Sequence, residues 1–178
     1  MVERAITKRT KAMMIPSLIG NLPDLAALQK IAKKHKLIFI EDSCDTLGAR
    51  FAGRPSGAYS DISTTSFYGS HIINAAGGGG LIAVNDPEWK ERLLVFRGWG
   101  RLSSKMGESR ESENIEKRFA ARVDHMAYDM KFIFSEIGYN FLPLELSAAF
   151  GLVQLEKLAE FRARRKKNFL RLRNFFKQ

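Results

Sequence analysis

The sequence predicts an α/β fold, with a mostly parallel central sheet flanked by helices. The first observation is a short, continuous apolar run, Leu37–Ile40, which is followed directly by two carboxylates. Such a run, bounded by polar residues, is typical of a strand buried on both faces of a parallel sheet. The second is a β-branched run over Ile62–Phe67, and the third is helical spacing of apolar residues between and after these runs. Strands that alternate with helices predict parallel pairing.

The remaining elements follow in chain order. Lys11–Ile15 is predicted to be a strand, and Asp24–His35 a helix with Leu25, Leu28 and Ala32 on one face. Leu81–Val84 is predicted to be a strand, and Asp86-Pro87 is expected to open a helix, because proline is favoured in the first turn.

Later parts of the chain divide into an irregular and a helical region. The polar stretch from Arg101 to Asp129 predicts a mobile loop. Apolar residues at helical spacing predict one packing helix from about Leu144 to Phe161.

Glu41-Asp42 closes the first apolar run and therefore lies at the carboxyl edge of the sheet, where open α/β folds place ligands. A carboxylate there needs a partner, because an unpaired buried charge is costly. A protonated pyridine nitrogen is one such partner. The alternative is that Asp42 only caps the following turn, and spacing alone leaves both interpretations open.

The second strand delivers Ser66 and His71 to the same edge, shortly before four consecutive glycines, Gly77–Gly80. Hydroxyls and glycine amides suit a phosphate, since both donate hydrogen bonds without bulk. Each signal is weak alone: a glycine cluster also marks a turn, and a single histidine is also a common surface residue.

Short motifs recur in a fixed order along nearly the whole chain. They include Glu41-Asp42-Ser43-Cys44-Asp45-Thr46-Leu47-Gly48-Ala49, Gly53-Arg54, Asp61-Ile62-Ser63, Ser66-Phe67, Trp99-Gly100-Arg101 and Gly138-Tyr139-Asn140. This order resembles the DegT/DnrJ/EryC1/StrS family of vitamin B6-dependent nucleotide-sugar enzymes. The resemblance implies part of the large domain of a fold-type I transferase that depends on pyridoxal phosphate (PLP).

In aminotransferases of that family, the residue five places after the serine of the Ser-Phe pair is the lysine that binds PLP covalently. Here that place holds His71, and no lysine lies between Lys36 and Lys90. The motif Ser66–His71 resembles the branch of 3-dehydrases that act on 4-keto-6-deoxy nucleotide sugars. The resemblance therefore implies C3 dehydration with bound pyridoxamine phosphate (PMP), and His71 as the base, since imidazole can move protons near neutral pH.

The resemblance also implies roles for four other residues. Asp42 would stabilise charge in the cofactor ring, Ser66 would contact the phosphate, and Asp45 would lie near the ring hydroxyl. Asn140 would reach the cofactor phosphate of the opposite subunit in a homodimer; the alternative is a turn residue before a helix.

Two departures from the family pattern stand out. The family's Gly-Glu-Gly-Gly is replaced by four glycines, with one extra residue before them. In iron–sulfur members of the dehydrase branch several cysteines follow the Trp-Gly-Arg motif, whereas the matching stretch here, Leu102–Phe119, has none. The resemblance therefore implies no iron–sulfur cluster, and Cys44 alone could not hold one. No metal site is expected.

Members of the family are much longer than these 178 residues. The expected organisation is a partial cofactor-binding domain over residues 1–160, with residues 161–178 starting a helix toward a missing small domain. Two other hypotheses stay open, namely a sugar aminotransferase and a catalytically incompetent fragment that serves as a binding module.

Composition favours a cytoplasmic protein. The chain has no apolar run of about 18 residues that could span a membrane, and its single cysteine argues against a disulfide framework. The net charge is +10, and much of it lies between Arg162 and Lys177, interleaved with apolar residues. Such a segment could bind nucleic acid phosphates. We prefer an amphipathic helix whose basic side faces water or an acidic nucleotide sugar.

Overall fold

A computed structural model describes residues 1–107 and 113–177. The chain forms two compact units, one made of Met1–Ala83 with Leu144–Gln178 and the other of Val84–Pro143. The strands and helices are, in chain order, β1 (Ala12–Pro16), α1 (Leu25–His35), β2 (Ile38–Asp42), β3 (Arg50–Phe51), β4 (Arg54–Pro55), β5 (Ile62–Ser66), β6 (Gly80–Val84), α2 (Pro87–Arg97), α3 (Ile115–Arg118), β7 (Ala121–Val123), β8 (Met126–Tyr128), α4 (Glu145–Glu156) and α5 (Leu158–Phe175).

The main sheet has the strand order β1-β2-β5-β6, and β2 pairs in parallel with both β1 and β5. In this register Asp42 lies opposite Pro16 on one side and Thr64 on the other. The carboxyl ends of three parallel strands therefore meet at one edge. The predicted mostly parallel α/β organisation is confirmed, and the predicted strands shift by one or two residues.

Helix α1 contributes three residues to the core of the first unit. The Asp24 carboxylate caps it by accepting a hydrogen bond from the backbone N–H of Ala27 at 2.9 Å. Its apolar face buries the three residues predicted from helical spacing. Together with Met13, Leu37, Phe39 and Tyr59, these three residues form one buried cluster.

The predicted single helix over residues 144–161 is wrong. Helix α4 ends at Glu156, and α5 begins at Leu158. The backbone N–H of Lys157 donates to the carbonyl of Gln154, three residues back, so a tighter turn interrupts the helix. The expected packing face is wrong too: Leu144, Leu152 and Leu155 are exposed. Helical spacing predicts an apolar face but not whether a partner covers it.

In the second unit, the prediction that Asp86-Pro87 opens a helix is confirmed. The Asp86 carboxylate accepts hydrogen bonds from the backbone N–H groups of Glu88 and Trp89. The predicted irregular loop over residues 101–129 is wrong in part, because it contains a 3-10 helix at Leu102–Met106, helix α3 and the hairpin β7–β8. Residues 108–112 of that predicted loop lie outside the described residues.

The β7–β8 hairpin turns at Asp124 and His125, which both have positive φ. Two-residue hairpin turns need this conformation, which is usually signalled by glycine, and the hairpin was therefore not predicted. Among the described helices, none combines the length and the apolar character needed to cross a bilayer.

Candidate active site

The carboxyl edge of the sheet brings the ends of β1, β2 and β5 together. The backbone N–H of Ser17 donates to the carbonyl of Asp42 at 2.9 Å, and that of Ser43 donates to the carbonyl of Thr64 at 2.8 Å. These two bonds extend the strand pairing past its last residues. Asp42 at the end of β2 and Ser66 at the end of β5 are therefore held by regular backbone structure.

Asp42 caps the turn that follows it. Its Oδ1 accepts a hydrogen bond from the backbone N–H of Cys44 at 3.2 Å. The capping role considered from the sequence is therefore present in the structure. The Cys44 thiol lies against the same carboxylate: burial, followed by its hydrogen bond to Asp42, raises the pKa of this thiol to about 11. Cys44 therefore stays a protonated thiol at neutral pH.

His71 forms a pair with Asp45. Its Nδ1 lies 3.0 Å from Asp45 Oδ1, and the two side chains are 23% and 34% exposed, so both remain accessible. The other oxygen of this carboxylate accepts a hydrogen bond from the backbone N–H of Ile19 at 2.9 Å. The Ile19 bond first, and then the His71 bond, hold the pKa of the Asp45 carboxyl below its usual range.

The loop after β5 carries His71 and the glycine cluster. Ser66 Oγ accepts a hydrogen bond from the backbone N–H of Tyr68 at 3.1 Å, which leaves its O–H free to donate to another group. The backbone N–H of His71 donates to the carbonyl of Tyr68, forming a tight turn. Gly77, Gly78 and Gly79 all have positive φ, which explains why this segment needs glycine.

Asn140 belongs to the second unit, whereas Asp42, Asp45, Ser66 and His71 belong to the first. The residue is exposed, and its backbone bridges to Gly98 within the second unit. The structure thus brings Asp45 and His71 into contact and places Asp42 and Ser66 at neighbouring strand ends. Asn140 belongs to the other compact unit and is not grouped with these four residues.

Three polar residues near this edge were not predicted as site residues. Glu41 is fully buried, and the signal for it was a carboxylate directly after an apolar run. The hydroxyls of Ser17 and Thr46 are also buried, and neither has a hydrogen-bond partner among the described residues. Nothing in the sequence distinguishes these two hydroxyls from others.

One cavity lies elsewhere in the first unit. It has a volume of about 420 Å³ and is lined by Gly48, Ala49, Arg50, Ala159, Arg162, Ala163 and Lys166. It contains none of the predicted site residues. We therefore define the candidate site by the side chains at the sheet edge and not by this cavity.

Comparison with known proteins decides the family. The profile of the DegT/DnrJ/EryC1/StrS aminotransferase family matches residues 1–178. The chain belongs to this family. Its membership confirms the resemblance inferred from the motifs around Asp42, Ser66 and Asn140.

One relative of this chain is the lipopolysaccharide biosynthesis protein RfbH of Salmonella typhimurium. It is 37% identical over 171 residues, which are 95% of this chain and 38% of the relative. A GDP-4-keto-6-deoxy-D-mannose 3-dehydratase of Yersinia pseudotuberculosis is 34% identical, covering 94% of this chain and 40% of the relative. A GDP-perosamine synthase of Caulobacter vibrioides is 31% identical, over 93% of this chain and 38% of the relative. The chain spans about two fifths of the length of these curated relatives.

The solved structure of an E. coli GDP-4-keto-6-deoxy-D-mannose-3-dehydratase with bound hydrated PLP resembles this chain. The TM-score is 0.79 at 31% identity, covering 99% of this chain and 43% of the other. This likeness confirms the expected fold, that of part of a PLP-dependent transferase's large domain.

Proposed function

We propose that this protein is a nucleotide-sugar enzyme of deoxy- or amino-sugar biosynthesis that uses PLP or PMP. Its reaction is C3 dehydration of a 4-keto-6-deoxy nucleotide sugar, with His71 as the base. The observation that carries this proposal is an accessible imidazole, paired with Asp45, at the place where the family's aminotransferases have lysine. Between Lys36 and Lys90 the sequence offers no amine that could replace it.

The names of relatives support this choice. A 3-dehydratase is named among both the curated relatives and the similar solved structures, at 34% and 31% identity. The lipopolysaccharide biosynthesis protein of Salmonella typhimurium is compatible with the same pathway class.

The side chains at the sheet edge fit the cofactor chemically. Asp42 supplies a carboxylate for a protonated ring nitrogen, and the Ser66 hydroxyl retains a proton to donate to a phosphate oxygen. The buried hydroxyls of Ser17 and Thr46 have no hydrogen-bond partner among the described residues. Buried hydroxyls are normally hydrogen-bonded, so both are available to a polar ligand.

The chemistry that PMP supplies when bound is an amine for the sugar ketone and a ring that takes up an electron pair. Asp42 would hold the proton on the ring nitrogen and so favour that uptake. Ser66, and Asn140 from the opposite subunit of a homodimer, would bind the phosphate.

His71 performs the proton transfer. Its Nδ1 is occupied by Asp45, so Nε2 is the nitrogen that would accept the proton removed in the reaction. The imidazolium would then return that proton to the C3 hydroxyl of the sugar, which would leave as water. Histidine suits this task because it moves protons near neutral pH but forms no stable imine.

The second candidate is a sugar aminotransferase. It is favoured by the 31% identity with a GDP-perosamine synthase. A product that gains a 4-amino group and keeps its 3-hydroxyl would select it. The third candidate, a non-catalytic binding module, is favoured by the basic residues of α5. Salt-dependent DNA binding without cofactor absorbance would select it.

The test combines absorption spectra with chemical reduction. The purified chain is mixed with PLP or PMP, treated with borohydride and analysed by peptide mass spectrometry. We expect reversible binding and no reductive fixation of PLP at any lysine near the site. In the matched variant His71→Lys, PLP should become fixed at residue 71, because an amine now occupies the family's position.

Fixation of PLP on a lysine of the unmodified chain, at a site that Asp42→Ala abolishes, would overturn the proposed use of His71. Absence of any PLP or PMP binding by the chain, and also by His71→Lys, would overturn the cofactor assignment. The cytoplasmic location, the homodimer, and the division into residues 1–160 and 161–178 stay predictions.

A further inference from the structure

We propose that Asp45 is a positioning residue that fixes His71 in the tautomer with its proton on Nδ1, so that Nε2 carries the reactive lone pair. The role of that lone pair as the base of the reaction rests on the proposed function. The tautomer itself is a property of this chain and can be tested without cofactor or substrate.

The contact between the two side chains determines where the proton lies. Asp45 Oδ1 and His71 Nδ1 are 3.0 Å apart, which is hydrogen-bond distance. An ionised carboxylate can only accept, so Nδ1 must be the donor. A neutral imidazole has one N–H, and its Nε2 is then unprotonated.

The Asp45 carboxylate is itself held from a second direction. Its Oδ2 accepts a hydrogen bond from the backbone N–H of Ile19, 26 residues earlier in the chain, at 2.9 Å. Ile19 has a φ of 56°, a conformation that a β-branched residue adopts only at a cost. The turn at Leu18–Gly20 thus presents a fixed donor that orients the carboxylate toward His71.

This arrangement gives Asp45 a different task from the one the family resemblance implied. Both of its oxygens are engaged within the chain, one by Ile19 and one by His71. A carboxylate used in this way acts through the imidazole and does not need to touch the cofactor ring. The same division of labour applies to the aspartate of a serine-protease triad, which holds its histidine in the correct tautomer.

The test is the pattern of ring-nitrogen chemical shifts in the chain labelled with 15N at histidine. The sequence has three histidines, so each ring can be assigned. Spectra are recorded at a pH above which the ring shifts no longer change. We expect a protonated Nδ1 and an unprotonated Nε2 for His71. A protonated Nε2 in the unmodified chain would overturn the proposal.

Two substitutions at residue 45 test the cause. Asp45→Ala removes the acceptor, so the His71 proton should move to Nε2, the site that free imidazole side chains favour. Asp45→Asn should also move it to Nε2. The Ile19 N–H still needs the amide oxygen, which leaves the amide NH2 to donate to Nδ1. If folded Asp45→Asn keeps the proton on Nδ1, Asp45 does not set the tautomer.

A second carboxylate–histidine pair in the chain provides the matched control. Glu3 Oε1 lies 2.9 Å from His35 Nε2, so this pair engages the opposite ring nitrogen. Glu3→Gln should alter the shifts of His35 and leave those of His71 unchanged. A change at His71 in Glu3→Gln would show that the shifts report a general perturbation and would overturn the assignment.

The two proposals fail in distinguishable ways. Loss of cofactor binding with the tautomer intact would refute only the proposed function. Normal PMP binding with His71 protonated on Nε2 would refute only the role of Asp45. Backbone amide spectra of each variant establish that it is folded, and the spectrum of the unmodified chain decides the tautomer even if a variant does not fold.

Discussion

Glu41 Oε2 accepts a hydrogen bond from the backbone N–H of Gly57 at 2.7 Å. Its other oxygen accepts one from the Ser43 hydroxyl, also at 2.7 Å. Glu41 is fully buried, one residue before Asp42, so these two bonds compensate for its lost hydration. They also attach the segment between β2 and β5 to the strand that carries Asp42.

We predict that Glu41→Ala lowers the free energy of unfolding by about 3 kcal/mol, because it leaves the buried Ser43 hydroxyl and the part-buried Gly57 N–H without an acceptor. Glu41→Gln should cost less, since one amide oxygen still accepts. Urea denaturation measures both changes. As a control, Glu156→Ala on the exposed surface of α4 should leave the unfolding midpoint unchanged. Equal midpoints for Glu41→Ala and the unmodified chain would contradict this account.

The second prediction concerns acid stability. The pKa of Asp45 is lowered in the folded chain, first by the Ile19 N–H and then by His71. A carboxyl with a lowered folded pKa stabilises the fold above its unfolded pKa of about 4, and this contribution disappears as the pH falls through the folded value. Asp45→Asn should therefore lower the urea midpoint at pH 6, and the gap between the two proteins should narrow as the pH falls below about 4. The comparison with Asp45→Asn isolates this carboxyl from the others; a gap that does not narrow with falling pH would exclude this cause.

The third prediction concerns thiol reactivity. The pKa of Cys44 is raised to about 11, chiefly by burial and then by Asp42. Against an unfolded pKa near 9, the thiolate fraction at pH 8 should fall roughly 100-fold, so alkylation by iodoacetamide should be at least several-fold slower in the native chain than in urea. Since Cys44 is the sole cysteine, incorporated label reports it directly.

Asp42→Asn provides the variant for the same experiment. It should speed alkylation of native Cys44 by removing the charge, but not to the rate in urea, because burial remains the larger cause. A native rate equal to the unfolded one would show that the thiol is neither buried nor held by Asp42.

Much of the fold, including the strands that carry the site, could be predicted because its signals are local. The apolar run before Asp42, the β-branched run before Ser66 and the cap at Asp86 each depend on neighbouring residues, and each forms as expected. The place of His71 relative to Ser66 also followed from spacing alone. The break at Lys157 could not be predicted, because the apolar spacing continues through it.

The sequence by itself determined the family, the main strands with helices α1 and α2, and the imidazole in place of lysine at residue 71. Those properties reside in side-chain periodicity and in motifs a few residues long. Only the tertiary structure decided that Asp45 contacts His71 and Ile19, and that Glu41 contacts Gly57. These partners lie 16 to 26 residues apart, so their meeting depends on how loops close between strands, which local propensity does not specify.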